Sequence, residues 1–184
     1  IYNADCDGVV DIEGAFNNAP RQEEIQLGLG TNASSNLDLP TQSIWDTYGV
    51  DEKVLYIMND ERVCRVGITY GNGAVTGLPY TGIEENIGGI AQTYANLLLT
   101  NNATGHNEGG NSPFERIDND PIIGNGACNG SNGHQFLPQS ENLAYFWTSG
   151  PENDLILERS IYNWIYDDAG SGWGHRTACL LQDQ

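Results

Sequence analysis

Oxygen-bearing side chains crowd the start of the chain. In Asn3-Ala4-Asp5-Cys6-Asp7-Gly8-Val9-Val10-Asp11-Ile12-Glu13 they fall at alternate positions around a glycine. A tight loop with that spacing wraps successive oxygens around one hard cation, and the glycine permits the sharp turn. The expected calcium ligands are Asn3, Asp5, Asp7, Asp11 and Glu13, joined by the backbone carbonyl of Val9. The run departs from a full EF-hand loop at its last ligand position, where Gly14 stands beside Glu13, and the competing reading is an ordinary acidic turn. No other local motif announces a chemistry by itself. The chain has no Gly-x-Ser-x-Gly elbow, phosphate loop or dinucleotide fingerprint.

Charge narrows the partners. The 184 residues carry 25 Asp plus Glu against 7 Lys plus Arg, a formal charge of -18, and Lys53 is the single lysine. Such a surface repels nucleic-acid backbones and anionic headgroups and attracts metal ions. No apolar run is long enough to span a membrane. The start at Ile1-Tyr2-Asn3 reads as a mature or trimmed chain. Cys6, Cys64, Cys128 and Cys179 lack the paired spacing of a zinc ribbon, so two disulfides in a secreted, extracellular protein are expected. Three pairings are open, and chain proximity favours Cys6 with Cys64 and Cys128 with Cys179.

The elements that must position any site are mostly helical. The pattern predicts a helix over 51–65 with Val54, Leu55 and Met58 on one face and Gly67 as a stop. The strongest period is Ile83, Ile87, Ile90, Ala91, Tyr94, Leu97 and Leu98, a single stripe that predicts a core helix ending near Asn101. Ser112 before Pro113 marks a short helix start. A further helix is expected over 154–167, with Leu157, Ile161, Trp164 and Ile165 on one face. Thr177-Ala178-Cys179-Leu180-Leu181 is short, apolar and β-branched at its start, which reads as a buried strand. Residues 28–43 read as a loop or linker.

Placed on these elements, three short motifs gain meaning from their order: Gly105-His106-Asn107 after the long helix, Ser140-Glu141-Asn142-Leu143-Ala144, and Trp173-Gly174-His175-Arg176. With Trp164-Ile165-Tyr166-Asp167 and Asn59-Asp60-Glu61-Arg62, they resemble the CAP superfamily of cysteine-rich secretory, antigen 5 and pathogenesis-related proteins over residues 50–184. The stretch before it, 1–20, resembles a thrombospondin type 3 calcium-binding repeat, with 21–49 as linker.

The CAP resemblance implies an α+β fold, an α-β-α sandwich whose helices flank a small antiparallel sheet. It also implies a cleft of two histidines and two acidic residues, here His106, Glu141, Asp167 and His175. Two neutral imidazoles with flanking carboxylates suit zinc or another divalent metal, or acid/base chemistry. Asp167 stands where the family commonly has Glu, and Asp168 beside it is an alternative. The implied function is recognition of a metal or a small apolar ligand, with a lipid, sterol or peptide as candidates. A peptidase with Glu141 as general base is the rival, and a structural module of a larger extracellular protein is a third possibility. Family members usually continue past the Gly-His-Arg segment, so residues 177–182 are expected to pair as a strand with a C-terminal segment or a second chain.

Overall fold

The computed structural model describes residues 8–30, 33–123, 141–146 and 156–181. The chain forms two compact units, one of residues 1–81 with 146–184 and the other of residues 82–145. Its secondary structure is mixed, with helices dominating and one two-stranded antiparallel sheet. That is the expected α+β class at its coarsest.

The first unit holds α1 (Val9–Gln26), α2 (Gln42–Trp45), α3 (Val50–Cys64), β1 (Thr69–Tyr70), β2 (Gly73–Ala74), α6 (Ile156–Tyr166) and α7 (Gly174–Leu180). Its core is where apolar faces of four helices meet. Ile12 and Phe16 of α1, Ile57 of α3, Ile161 and Ile165 of α6 and Leu180 of α7 are fully buried. Each such side chain contributes about 1.5–3 kcal/mol through burial. Phe16 stands edge-on to Tyr162 and Tyr166, with centroids 5.5 and 6.1 Å away. The strands pair Thr69 with Ala74 and Tyr70 with Gly73, closing on Gly71-Asn72. Asn72 Nδ2 donates to Thr177 Oγ1, tying this hairpin to α7.

Helix α1 corrects the reading of the N-terminus. Asn3, Asp5 and Asp7 lie outside the described residues, but Val9, Asp11 and Glu13 belong to a helix rather than a cation-wrapping loop. Glu13 Oε1 accepts from the Leu39 N–H at 2.7 Å, and the Val9 N–H donates to Gln42 Oε1 at 2.8 Å. The helix runs through Pro20, across the boundary expected between residues 20 and 21. Gly14, two Asn and Pro20 make it a poor helix by propensity, and burial of Val9, Ile12, Phe16 and Ala19 along one stripe outweighs that.

The second correction is α7. Residues 177–180 are helical, not a strand, so they cannot add as an edge to another segment. An apolar run this short does not distinguish strand from helix by period. The local hydrogen bonds decide: the Arg176 N–H donates to Asp168 Oδ2 at 3.0 Å, and Thr177 Oγ1 donates to the Trp173 carbonyl at 2.9 Å.

Helices α3 and α6 lie close to where they are expected. Asn59 and Arg62 of α3 clamp residues 78–80: Asn59 exchanges bonds with both backbone groups of Tyr80, and Arg62 Nε donates to the Leu78 carbonyl at 2.6 Å. Arg62 Nη1 reaches on to the Cys179 carbonyl at 2.9 Å. Glu23, Glu61, Arg65 and Arg176 are buried beside the apolar core. Arg65 lies 3.4 Å from Glu61 and 3.6 Å from Glu23, near enough for charge pairing but without an aligned hydrogen bond. Burial pushes the Glu61 carboxyl up to about 7, against the pull of Arg65. Cys64 and Cys179 are buried thiols, while Cys6 and Cys128, their assigned partners, lie outside the described residues. Cys64 Sγ is 3.1 Å from the Asn36 carbonyl, and burial pushes its thiol up to about 12, which makes it inert as a nucleophile.

The second unit contains α4 (Glu85–Asn101), a 3₁₀ turn at Glu108–Gly110 and α5 (Pro113–Asp118). Glu84 caps α4 by accepting from the Ile87 N–H at 2.7 Å, and Asn102 ends it in the left-handed region. Helix α5 starts at Pro113 behind the Ser112 cap as predicted, and Glu115 completes a capping box with Ser112. The expected core stripe of α4 is only partly buried. Tyr94 and Leu98 are buried, whereas Ile83 and Ile87 are 44% and 45% exposed; among the described residues, the turn and α5 pack against the helix.

Candidate functional site

Both motif histidines present Nδ1 to a carboxylate. In the second unit, His106 Nδ1 lies 2.9 Å from Glu141 Oε1. Glu141 Oε2 is bound by Arg116 Nη2, whose Nη1 donates to the carbonyls of His106 and Asn111 at 2.9 and 2.7 Å. The guanidinium also stacks on Tyr94, 3.4 Å from the ring centroid. Tyr94 Oη donates to the Gly105 carbonyl at 2.7 Å and accepts from the Glu108 N–H, while Tyr145 Oη accepts from the Gly105 N–H at 3.1 Å. Gly105 has φ 111°, a conformation that favours glycine beside the histidine. The His106 loop is thus held from both sides, with its imidazole 45% exposed and Glu141 only 17%.

In the first unit, His175 Nδ1 lies 2.6 Å from Asp168 Oδ1 and 3.2 Å from Ser171 Oγ. Asp168 also takes the Ser171 hydroxyl and the Arg176 N–H, and its side chain is only 3% exposed. Burial alone would raise the Asp168 carboxyl. Hydrogen bonds from Ser171, His175 and the Arg176 N–H outweigh burial and hold it below the ordinary carboxylate range. Trp173, which opens α7 at φ 67°, stacks on Arg176 at 3.7 Å.

The structure therefore brings His106 to Glu141, as the motifs imply, and gives His175 to Asp168 rather than Asp167. Asp167 is exposed, one residue past α6, with its N–H on the Asn163 carbonyl. A one-residue shift at a helix end turns the side chain to another face, and sequence fixes such ends only to within a residue or two. Arg116 is a site residue that the motifs did not single out, and the available signal was its place four residues after the Ser112 cap, on the helix beside the His106 loop. Trp164 packs on the core, and Trp147 and His134 lie outside the described residues.

A carboxylate on Nδ1 sets the tautomer and leaves the lone pair on Nε2, the orientation of a metal-binding or hydrogen-bond-accepting imidazole. Among the described residues, no group of three or more His, Cys, Asp or Glu gathers around a metal-sized space. Within each unit, one imidazole is oriented by its own carboxylate. No protein-family description, curated protein or solved structure matches this chain.

Proposed function

We propose that this chain is an extracellular recognition domain of the CAP type, in which His106 and His175 bind a divalent metal such as zinc or accept a hydrogen bond from a small, largely apolar ligand. The observation that carries the reading is that each motif histidine has its Nδ1 on an acidic residue, Glu141 or Asp168. The order of the motifs supports the CAP assignment and its α-β-α sandwich, and the charge of -18 favours a cation. Structural calcium at the N-terminus is a second part of the proposal, now resting on Asn3, Asp5 and Asp7 ahead of α1.

Recognition is favoured over hydrolysis by the state of Glu141. A general base must turn an oxygen toward water. Here one oxygen faces His106 and the other Arg116, so the carboxylate orients a ring instead. Zinc and calcium per chain, measured by elemental analysis after dialysis without chelator, test the proposal on the native protein, His106→Ala and His175→Ala. Zinc bound by the native protein and reduced in either variant supports it. Zinc unchanged in both variants, or peptide turnover abolished by Glu141→Gln, contradicts it.

A further inference from the structure

An open groove of about 690 Å³ runs along α4 in the second unit, and neither histidine lines it. One wall is the α4 stripe from Glu85 to Leu97, and the other is the 3₁₀ turn, α5 and the residues that follow to Pro121. Its apolar surface comes from Ile90, Tyr94, Leu97 and Pro121, and its carboxylates are Glu85, Glu108 and Asp120. Arg116, the cation in the lining, is committed to Glu141 and to the carbonyls of His106 and Asn111.

Twelve helical steps from Glu85 to Leu97 span about 18 Å. An extended segment fits, and about five or six residues cover that length. Glu108 accepts from Asn101 Nδ2 and Asp120 from the Ile122 and Ile123 N–H groups, yet no cation pairs with these carboxylates among the described residues, so they favour a basic ligand and disfavour an anionic headgroup.

A second observation concerns Gly88 and Gly89, which sit inside α4, where each weakens the helix relative to alanine. A Cβ built on either meets nothing within 4 Å among the described residues, so no packing there demands a glycine. Gly89 lines the groove, and a side chain at that position would project into it.

We infer that this groove binds an extended peptide segment in which apolar side chains alternate with Lys or Arg, and that Gly89 keeps the groove open for it. Alternation places apolar groups on Ile90 and Leu97 and basic ones at the carboxylate rim. The inference does not depend on either histidine pair.

The test is fluorescence anisotropy with a dye-labelled seven-residue peptide of alternating Leu and Lys, at about 0.15 M salt so that diffuse attraction is screened. The native protein should bind it, and Gly89→Leu, which changes no charge, should weaken binding at least about tenfold. Gly89→Ala should raise the melting temperature by about 2 °C while weakening binding less. Should Gly89→Leu fail to fold, Glu85→Lys serves as the second variant and should also weaken binding. The inference is overturned if the native protein does not bind, if a folded Gly89→Leu or Glu85→Lys binds as tightly as native, or if a Leu-Glu peptide or dodecanoate binds as well as Leu-Lys.

Discussion

His106 and His175 reach their carboxylates by different routes. His175 and Asp168 are seven residues apart, within one turn and the helix start it feeds, and the carboxylate is held by a hydroxyl and a backbone N–H. His106 and Glu141 are 35 residues apart, and Arg116 supplies a countercharge and stitches the loop by its carbonyls. A short connection costs little chain entropy to close, so local hydrogen bonds suffice. A long one needs a strong, geometrically specific clamp, which the guanidinium provides by binding the carboxylate through Nη2 and two backbone carbonyls through Nη1. The same imidazole orientation is therefore robust in one unit and contingent on a single arginine in the other.

That contrast can be broken most severely at Arg116. Arg116→Ala leaves Glu141 partly buried without its cation and should cost about 3 kcal/mol in urea unfolding. A loss below about 1 kcal/mol would place the pair among ordinary surface ion pairs and remove the contrast. Next is Asp168→Asn, expected to cost about 2 kcal/mol at neutral pH through the hydrogen bonds it weakens. Because the native Asp168 carboxyl is held low, its contribution is present above the unfolded value of about 3.9 and is lost as pH falls through the folded one. The variant should therefore show a shallower acid limb, read as urea midpoints between pH 7 and pH 3.

Glu61 has the opposite sign. Its folded carboxyl sits near 7, so the unfolded chain releases the proton first and stability falls as pH rises from about 4.5 to 7. Glu61→Gln should flatten the urea midpoints in that window, and an unchanged slope would show that Glu61 ionises normally in the fold. The smallest effect is expected at Asp167→Asn, less than about 0.5 kcal/mol, since the side chain is exposed. Equal losses at Asp167 and Asp168 would undo the assignment of the His175 partner.

Long periodic patterns were legible: α3, α4 and α6 follow their apolar spacing, and the Ser112 cap marks α5. Helix α1 was hidden because alternating acids mimic a cation loop, and only packing of Ile12 and Phe16 against other helices reveals the helical period. The 177–181 run is too short to carry a period, and its helix is set by a hydrogen bond to Asp168. At the site, the CAP resemblance named His106 and Glu141 as members of one cleft, not as a pair. The exchange of Asp167 for Asp168 was not legible, because a single step at a helix end is decided by hydrogen bonds from Ser171 and Arg176.

The most direct measurement of the central claim is a long-range ¹H–¹⁵N NMR spectrum of the imidazoles at neutral pH, assigned with His106→Ala and His175→Ala and repeated with zinc in excess. The account predicts that both rings carry the proton on Nδ1 and that zinc moves the Nε2 resonances of both. A proton on Nε2 in either ring, or Nε2 resonances unmoved by zinc, would contradict it.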